Sequence, residues 1–502
     1  MKRWVALLSC CVLGVTACSD DSQPAAPSPG ADLIGGLGVR LIPQLSGVVL
    51  VVPTSIMGPQ SPGPMWPATA GSNVVMNQDH GSRPQNETPI SIDPNDERRL
   101  FGGSNDYRIF DSQCGVYASS DGGASWNDVG TGTTLPLFAT AAGDASTAFG
   151  PDGAAYSVCI GFTRTANGNS SIYISRSTDL TTVQFRGFVI LDLLGGTDAM
   201  FAYFNDKSFV AVDTRPGSPH YGRIYVTWTR FKTVRTTGVY IESPIVLKYS
   251  DDGGATWSAL KSVSPAALNS DQGSVPYIGP NGEVYVVYEN FQGTAAPFTQ
   301  ALVSTSLDGG NTFSATAKVD DIVEIPFPLA NSGYRGNSFP SIAGCMSGNL
   351  YVVWGDAREG NADARFSRST DGGLTWEPSY VVNSDVSSAD QFFPWVTAAQ
   401  DNGLVEVAFV QRDGAPGNRL INTYLSTSFD LGASFEPQVL VTDGPSDPNN
   451  DGFRGIFIGD YIGVAGKGMA AHPAWTDTRG LGCRSQAVCS PNADAVTATV
   501  AF

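Results

Sequence analysis

Charged residues are scarce in this chain, and the two signs are unequal. Only 15% of its 502 residues are charged, and 29 basic residues stand against 47 acidic ones. This acidic balance argues against nucleic acid or an anionic membrane surface as a partner, because both would repel the protein. Only three histidines are present, which argues against metal sites that combine cysteine with histidine.

The N-terminal apolar run is too short to span a bilayer. It extends from Trp4 to Val15 and follows Lys2 and Arg3, as in an export signal. The next residues, Val-Thr-Ala-Cys18, resemble a bacterial lipobox, in which Cys18 becomes the lipidated first residue. An ordinary signal peptide cut after Ala17 is the alternative. We expect an exported protein, lipid-anchored to the cell envelope at the outer membrane or cell surface, that contacts the membrane only through this anchor.

Glycine is abundant instead, and one glycine-containing octapeptide recurs along the chain. Its clearest copy reads Ser-Thr-Asp-Gly-Gly-Leu-Thr-Trp, at 369–376. The other full copies are Ser119–Trp126, Ser250–Trp257, Ser306–Phe313 and Ser428–Phe435, and Ser177–Asp179 begins a weaker sixth. Ser and Asp side chains bind backbone amides of tight turns, glycine allows positive φ, and the final aromatic residue anchors a hairpin. The octapeptide therefore predicts a repeated structural turn.

The copies begin 56 to 73 residues apart, enough for four short strands. The pattern Ser-x-Asp-x-Gly-x-Thr/Ser-Trp/Phe resembles the Asp-box, or BNR repeat, of sialidases and sialidase-like propellers. The resemblance covers most of the chain after about residue 85. It implies an all-β fold, a β-propeller of four-stranded antiparallel blades. Unrelated activities share this fold, so the resemblance says less about chemistry.

Seven blades are favoured over six, although sialidases have six. A strand-turn-strand segment precedes each copy of the box, and a seventh such segment, from Asp460 onward, has three strands and no box. Asn73–Asn77 would supply its missing fourth strand and close the ring. We therefore divide the chain into a signal peptide at 1–17, a flexible tether and extension at 18–70, and the propeller at 71–502.

Functional residues are expected on the face opposite the boxes, where the loops after the second strands and between blades lie. Three of these loops carry Asp-x-Arg in register, at Asp106 and Arg108, Asp356 and Arg358, and Asp477 and Arg479. Because sialidases hold the substrate carboxylate with three arginines, the resemblance implies that Arg108, Arg358 and Arg479 bind an acidic sugar. Arg335, on an inter-blade loop, is a further candidate ligand contact. The alternative is that each Asp–Arg pair only stiffens its own loop.

The resemblance also suggests catalytic candidates. Sialidases use a tyrosine nucleophile assisted by a glutamate, with an aspartate as acid/base. Tyr461, which follows Asp460, and Tyr334 are the candidate nucleophiles on the inter-blade loops, and each could equally be an aromatic residue that lines the channel. The similarly placed acids are Glu87, Glu289, Asp206 and Asp390. The family's Phe/Tyr-Arg-Ile-Pro motif is not matched, because Tyr107-Arg-Ile-Phe lacks the proline. This departure leaves catalysis open.

The sequence offers few candidate disulfides and one candidate metal site. Cys483 and Cys489 are expected to form a disulfide, Cys114 and Cys159 would bridge neighbouring blades if paired, and Cys345 is left over. Asp447, Asn449 and Asp451 match the first half of a calcium-binding loop, but the twelfth position is Ile458 instead of a bidentate glutamate. An Asx-rich turn is the alternative to this structural Ca²⁺ site, and no other cofactor is expected.

Two functional interpretations follow. The first is an exported sialidase-like glycoside hydrolase that acts on terminal acidic sugars. The second is a non-catalytic cell-surface propeller that binds glycan or protein. We expect the main partner to be a glycan or glycoconjugate. We expect the protein itself to be a monomer.

Overall fold

The computed structural model describes residues 68–109, 111–130, 138–292, 299–313, 315–399, 403–412 and 419–483, together with 492–502. All of them lie in the second of two units of the chain, Trp66–Phe502. The described residues form strands, two short 3₁₀ turns (Leu193–Gly195 and Pro448–Asn450) and loops. None of their helical turns is long and apolar enough to cross a membrane.

The strands form seven antiparallel sheets that succeed one another along the chain, which confirms the seven-bladed propeller. Blade 1 contains β3 (Gln85–Asn86), β4 (Ile90–Ile92), β5 (Leu100–Asp106), β6 (Gln113–Ser119) and β7 (Asn127–Gly130). Blade 2 contains β8 (Ala141–Phe149), β9 (Ala155–Phe162), β10 (Ser170–Ser177) and β11 (Gln184–Asp192). Blade 3 contains β12 (Phe201–Val212), β13 (Ile224–Val234), β14 (Tyr240–Glu242), β15 (Ile245–Ser250) and β16 (Lys261–Ser262).

The remaining blades follow the same order. Blade 4 contains β17 (Asp271–Ile278), β18 (Val284–Asn290), β19 (Thr299–Ser306) and β20 (Ala315–Ile322). Blade 5 contains β21 (Ser341–Gly344), β22 (Leu350–Asp356), β23 (Asp363–Ser369) and β24 (Tyr380–Val381). Blade 6 contains β25 (Gln391–Ala398), β26 (Val405–Arg412), β27 (Ile421–Ser428) and β28 (Val439–Leu440).

Blade 7 closes the ring with the N-terminal part of the propeller, as the sequence predicted. It contains β29 (Gly463–Lys467), β30 (Ala470–Asp477), β31 (Asp494–Thr497) and β32 (Val500–Ala501), with β1 (Thr69–Ala70) and β2 (Val74–Val75) on its outer edge. Val74 pairs with Thr497, and Thr69 pairs with Ala501. Pairing thus begins two residues before the boundary at 71.

Each Asp box joins the third and fourth strands of a blade on one face of the ring, which we call the bottom face. In the copy at 369–376, the Asp371 carboxylate accepts hydrogen bonds from Ser369 Oγ at 2.9 Å and from Thr375 Oγ1 at 2.6 Å. Ser369 Oγ accepts the N–H of Gly373, whose φ of +82° favours glycine. The boxes are therefore structural turns, and the blade-to-blade loops lie on the opposite, top face.

The core lies between the blades. The second strands are buried on both sides, as β22 shows with all seven of its residues buried. Trp228, Trp354 and Trp475 lie fully buried on three of these strands. A disulfide between Cys114 of blade 1 and Cys159 of blade 2 joins neighbouring blades, and Cys345 is free and buried. Cys489 lies outside the described residues, so its disulfide with Cys483 stays a prediction.

Candidate functional site

A repeated backbone distortion marks the top of the central channel. The innermost strands β8, β12, β17 and β25 each contain a bulge. The bulges place one residue at positive φ, namely Asp144 (51°), Lys207 (48°), Gly273 (71°) and Phe393 (52°). Glu87 (58°) and Gly459 (96°) precede the innermost strands β4 and β29 in the same way. Non-glycine residues rarely adopt this conformation, and such strain often accompanies a functional site.

Ionisable side chains from these positions meet at one mouth of the channel. Lys207 Nζ lies 2.6 Å from Asp460 Oδ2, and Arg335 Nε lies 2.7 Å from Asp460 Oδ1. Burial alone would raise the pKa of Asp460, but the charges of Arg335 and Lys207 hold it below the usual range. Asp460 is therefore ionised at neutral pH and connects blade 7 to blade 3 and to the loop before blade 5. We call Glu87, Asp144, Asp206, Lys207, Arg335 and Asp460 the mouth cluster.

Glu87 is held inside this cluster by an amide. Asn105 Nδ2 donates to Glu87 Oε2 at 2.9 Å, and Arg335 Nη2 is 4.0 Å from Glu87 Oε1. Only 1% of Glu87 is exposed. Burial first, and then the carboxylate of Asp144, raise the pKa of Glu87 well above its usual range. This carboxyl group therefore keeps its proton to a higher pH than an exposed glutamate does.

Asp144 and Asp206 form a carboxyl pair at the partly exposed edge of the cluster. Their side chains are hydrogen-bonded, and burial followed by the charge of Asp144 raises the pKa of Asp206 to about 8. Gln272 Nε2 approaches Asp206 at 3.4 Å, and the backbone N–H of Lys207 donates to Asp144 at 3.0 Å. Two like charges in contact cannot both ionise easily, so the pair shares a proton at neutral pH.

Tyr461 lies beneath the charged groups. Its hydroxyl donates to the carbonyl of Ala145 at 2.8 Å, and its ring packs 5.3 Å from Phe209 and 6.0 Å from Trp395. Burial, and then Glu87 and Asp144, raise the pKa of Tyr461. The phenol therefore keeps its proton and fills the channel. Below it the inner strands of all seven blades line a cavity of about 220 Å³.

The structure brings four of the predicted site residues together and places the others elsewhere. Glu87, Asp460, Tyr461 and Arg335 meet at the mouth. The arginines of the three Asp-x-Arg loops lie toward the outer strands, where each one binds carboxylates of this chain. Arg108 binds Asp106 and Asp128, Arg358 binds Asp356 and Asp320, and Arg479 binds Asp477 and Asp443. This geometry favours the loop-stiffening interpretation of these pairs.

In the candidate calcium loop, the carboxylate oxygens accept hydrogen bonds from N–H groups of the loop itself. The carboxylate of Asp451 is buried and accepts the N–H groups of Phe453, Gly455 and Phe457. Asn449 donates its backbone and side-chain N–H groups to Asp447. Among the described residues, no group of three or more His, Cys, Asp or Glu side chains is arranged to hold a metal ion. The geometry favours the Asx-turn interpretation, and the Ca²⁺ site stays an untested prediction.

Sequence reasoning did not single out Asp144 or Lys207, and Asp206 had no distinguishing spacing. A signal exists in the register of the innermost strands. Asp144, Lys207, Gly273 and Phe393 each stand two residues before the first residue that resumes pairing after the bulge. Aligning the strands on that residue would have placed Asp144 and Lys207 at one level of the channel.

The BNR/Asp-box repeat family matches residues 248–259, which contain the box that begins at Ser250. The described residues form seven blades, and the sequence contains five full boxes. The chain is a BNR/Asp-box β-propeller. No curated protein matches this propeller in sequence.

Solved structures resemble the propeller at low identity. A protein of unknown function from Dyadobacter fermentans is 17% identical, with 72% of this chain and 98% of that chain covered and a TM-score of 0.46. The α-L-arabinofuranosidase of Fusarium graminearum in complex with arabinobiose is 15% identical, with coverages of 72% and 98% and a TM-score of 0.46. The endosialidase of phage phi92 is 10% identical, with coverages of 86% and 69% and a TM-score of 0.48.

Proposed function

We propose that this propeller acts on glycans and hydrolyses a glycosidic bond at the mouth cluster, with Asp206 as general acid. The carrying observation is the hydrogen-bonded pair of Asp144 and Asp206, in which Asp206 has a pKa of about 8. Glycoside hydrolysis needs one protonated and one ionised carboxyl group beside the bond that breaks. Asp206 supplies the first at neutral pH. Asp144 touches Asp206 and so leaves no room for a sugar between them, which makes Asp460, kept ionised by Arg335 and Lys207, our candidate for the second.

Two cations in the same cluster support an acidic terminal sugar as substrate. Arg335 and Lys207 both bind Asp460, and the Arg335 side chain is 18% exposed. A substrate carboxylate that approaches from the top face would therefore meet Arg335, with its planar donor fork, before it meets the more deeply buried Lys207. This assignment places the carboxylate contact in the mouth cluster and not at the three Asp-x-Arg loops.

The test is hydrolysis of a panel of fluorogenic glycosides that includes α-sialosides and neutral α-L-arabinofuranosides. We expect release of the fluorophore by the purified propeller and a loss of at least about a hundredfold in Asp206→Asn, as is typical when a general acid is removed. Asp371→Asn, in a box on the bottom face, is the control and should retain activity at a temperature where it is folded. Equal rates for Asp206→Asn and the unmodified protein would overturn the assignment.

A non-catalytic glycan-binding propeller is the second candidate. It is favoured by the internal pairing of the cluster, since Tyr461 donates to a backbone carbonyl and Glu87 is bound by Asn105. Glycan binding without turnover of any glycoside in the panel would select this alternative.

We further propose that the protein is exported and lipid-anchored through Cys18. The disulfide between Cys114 and Cys159 supports export, because such bonds persist in oxidising compartments. Replacement of Cys18 by Ser should move the protein from the membrane fraction to the soluble fraction of the envelope. Unchanged membrane fractionation of Cys18→Ser would contradict the anchor.

A further inference from the structure

Blade 3 extends further above the top face than the other blades whose innermost strands carry a bulge. Its innermost strand has six residues before the bulge, Phe201–Asp206, whereas β8 has three and β17 and β25 have two each. The second strand, β13, is correspondingly long and ends at Val234. At about 3.3 Å per residue, this extension forms a wall that starts at the mouth cluster and rises about 16 Å from Asp206 to Phe201.

A cleft of about 530 Å³ lies against this wall, between blades 2 and 3. It is lined by Asp192, Asp198, Tyr203, Arg230, Lys232 and Glu242, with Thr197 at its rim and Pro244, Val246 and Leu260 completing its surface. Tyr203 precedes Asp206 by three residues, which places its Cα about 10 Å from that of the general acid we propose. The cleft is thus a neighbour of the mouth and separate from it.

The polar groups of the cleft have the chemistry that sugar hydroxyls require. The Arg230 guanidinium lies 4.3 Å from the centre of the Tyr203 ring, and its Nη2 donates to Asp192 at 3.2 Å. Its Nη1 is buried and has no hydrogen-bond partner among the described residues. A buried donor of this kind is costly to leave unmet, so the guanidinium gains a hydrogen bond if it turns toward a ligand oxygen in the cleft. Lys232 and Glu242 form an ion pair at 3.0 Å in the same cleft.

The loop that forms one side of the cleft is fixed before any ligand arrives. Arg235 Nη1 donates to the carbonyl of Leu194 at 2.6 Å, and its Nη2 donates to the carbonyls of Gly196 at 2.8 Å and Phe201 at 3.0 Å. Its Nε donates to the carbonyl of Asp198 at 2.9 Å. One guanidinium thus holds the whole segment 194–201. A preformed cleft loses little conformational entropy when it binds a ligand.

We propose that this cleft is a second glycan subsite, which binds a sugar unit of a chain whose terminal unit lies at the mouth cluster. Tyr203 lines the cleft, and the part of its ring that Arg230 leaves uncovered is the aromatic surface for a sugar ring. Arg230 with Asp192 supplies paired donors and acceptors for its hydroxyl groups. The inference rests on the proposed function for the position of the terminal unit. The binding it predicts is nevertheless measurable without any turnover.

The test compares binding to immobilised neutral and sialylated oligosaccharides of graded length. Tyr203→Ala removes the aromatic surface, and Thr197→Trp blocks the cleft from its exposed rim without removing a core contact. We expect both variants to lose about tenfold or more in affinity for the longer oligosaccharides, equivalent to about 1.4 kcal/mol. Tyr221→Ala is the matched control, because Tyr221 is also an exposed aromatic residue but lies in the loop between β12 and β13, on the bottom face.

The outcomes separate the two proposals. Loss of oligosaccharide binding in Tyr203→Ala and Thr197→Trp, with Asp206→Asn still binding, supports the subsite whether or not any glycoside is hydrolysed. Binding by Thr197→Trp equal to that of the unmodified protein, or no binding to any oligosaccharide by the unmodified protein, overturns the subsite. Hydrolysis of short fluorogenic glycosides tests the mouth cluster alone, and it should be unchanged in the control Tyr221→Ala.

Discussion

Lys207 of blade 3 donates to Asp460 of blade 7 over 2.6 Å, although the two residues lie 253 positions apart in the chain. Only 5% of the Lys207 side chain and 10% of the Asp460 side chain are exposed. The pair thus joins opposite parts of the ring at the channel mouth. Because Asp460 also binds Arg335, one carboxylate connects three segments of the propeller.

Removal of Lys207 should therefore be costly. We expect Lys207→Met to lower the free energy of unfolding by about 3–5 kcal/mol, because it leaves a buried carboxylate with only part of its compensation. Denaturant unfolding of the purified propeller measures this change. Lys318→Met is the control, since Lys318 pairs with Asp321 at an exposed position and should shift stability by less than about 1 kcal/mol. Equal shifts for the two variants would contradict the role assigned to the Lys207 pair.

The raised pKa of Asp206 predicts a pH dependence of both activity and stability. As a general acid it must be protonated, so activity should fall as the pH rises through about 8. Its unfolded pKa is about 3.9, so the folded protein binds the extra proton between about pH 4 and pH 8. The stabilisation is therefore complete below about pH 4 and is lost as the pH rises toward 8.

Asp206→Asn isolates this contribution. The difference in melting temperature between the unmodified protein and Asp206→Asn should change steadily between about pH 5 and pH 8, within the window set by these pKa values. The unmodified protein should lose stability relative to Asp206→Asn as the pH increases. A difference that stays constant across this window would show that Asp206 titrates normally.

The fold was predictable because its signal is repeated and local. Each box, such as 369–376, contains within eight residues every group that its turn needs, so five copies specify the turns, the blade length and the ring. The mouth cluster was predictable only in part. Glu87, Asp460 and Arg335 were identified by their position between blades, but Lys207 meets Asp460 only after the ring closes. The bulge that turns Lys207 toward the axis becomes visible only when the innermost strands are aligned on the residue at which pairing resumes.

The hydrogen bonds of the Asp box predict that substitution of its aspartate changes the stability of the fold and not glycan binding. Asp371 accepts three hydrogen bonds within its turn, from Ser369 Oγ and from the backbone and side chain of Thr375. Asp371→Ala should lower the free energy of unfolding by about 1–2 kcal/mol and leave glycan affinity nearly unchanged. Leu374→Ala in the same box is the control, since Leu374 is 67% exposed and should have little effect. An unchanged melting temperature for Asp371→Ala would refute the structural role.

The Asp-x-Arg pairs predict loss of stability without loss of binding. Arg358 binds Asp356, whose side chain is 1% exposed, so Arg358→Ala leaves a buried carboxylate and should cost about 1–3 kcal/mol. Arg98→Ala is the matched control, because Arg98 and Asp96 form the same local pair at an exposed position. If Arg358→Ala instead keeps its stability and weakens binding of a sialylated oligosaccharide, Arg358 is a ligand contact, as the sialidase resemblance implied.

Closure of the ring by the N-terminal strands predicts a sharp boundary for truncation. Deletion of residues 18–60 should leave the melting temperature unchanged, because it spares both β1 and β2. Deletion of residues 18–80 removes these strands and leaves β31 and β32 without their outer partners. It also removes Met76, which is fully buried against Ile90 and Leu100, and Asn77, whose side chain binds Asp494 and the N–H of Ala495. An exposed sheet edge and a lost core residue should together lower the melting temperature severely.

Met76→Ala in the otherwise intact protein separates the two effects, since it removes the core contact and keeps the strands. Differential scanning calorimetry of the three proteins is the measurement, and equal melting temperatures for the two truncations would show that the ring does not depend on its N-terminal strands.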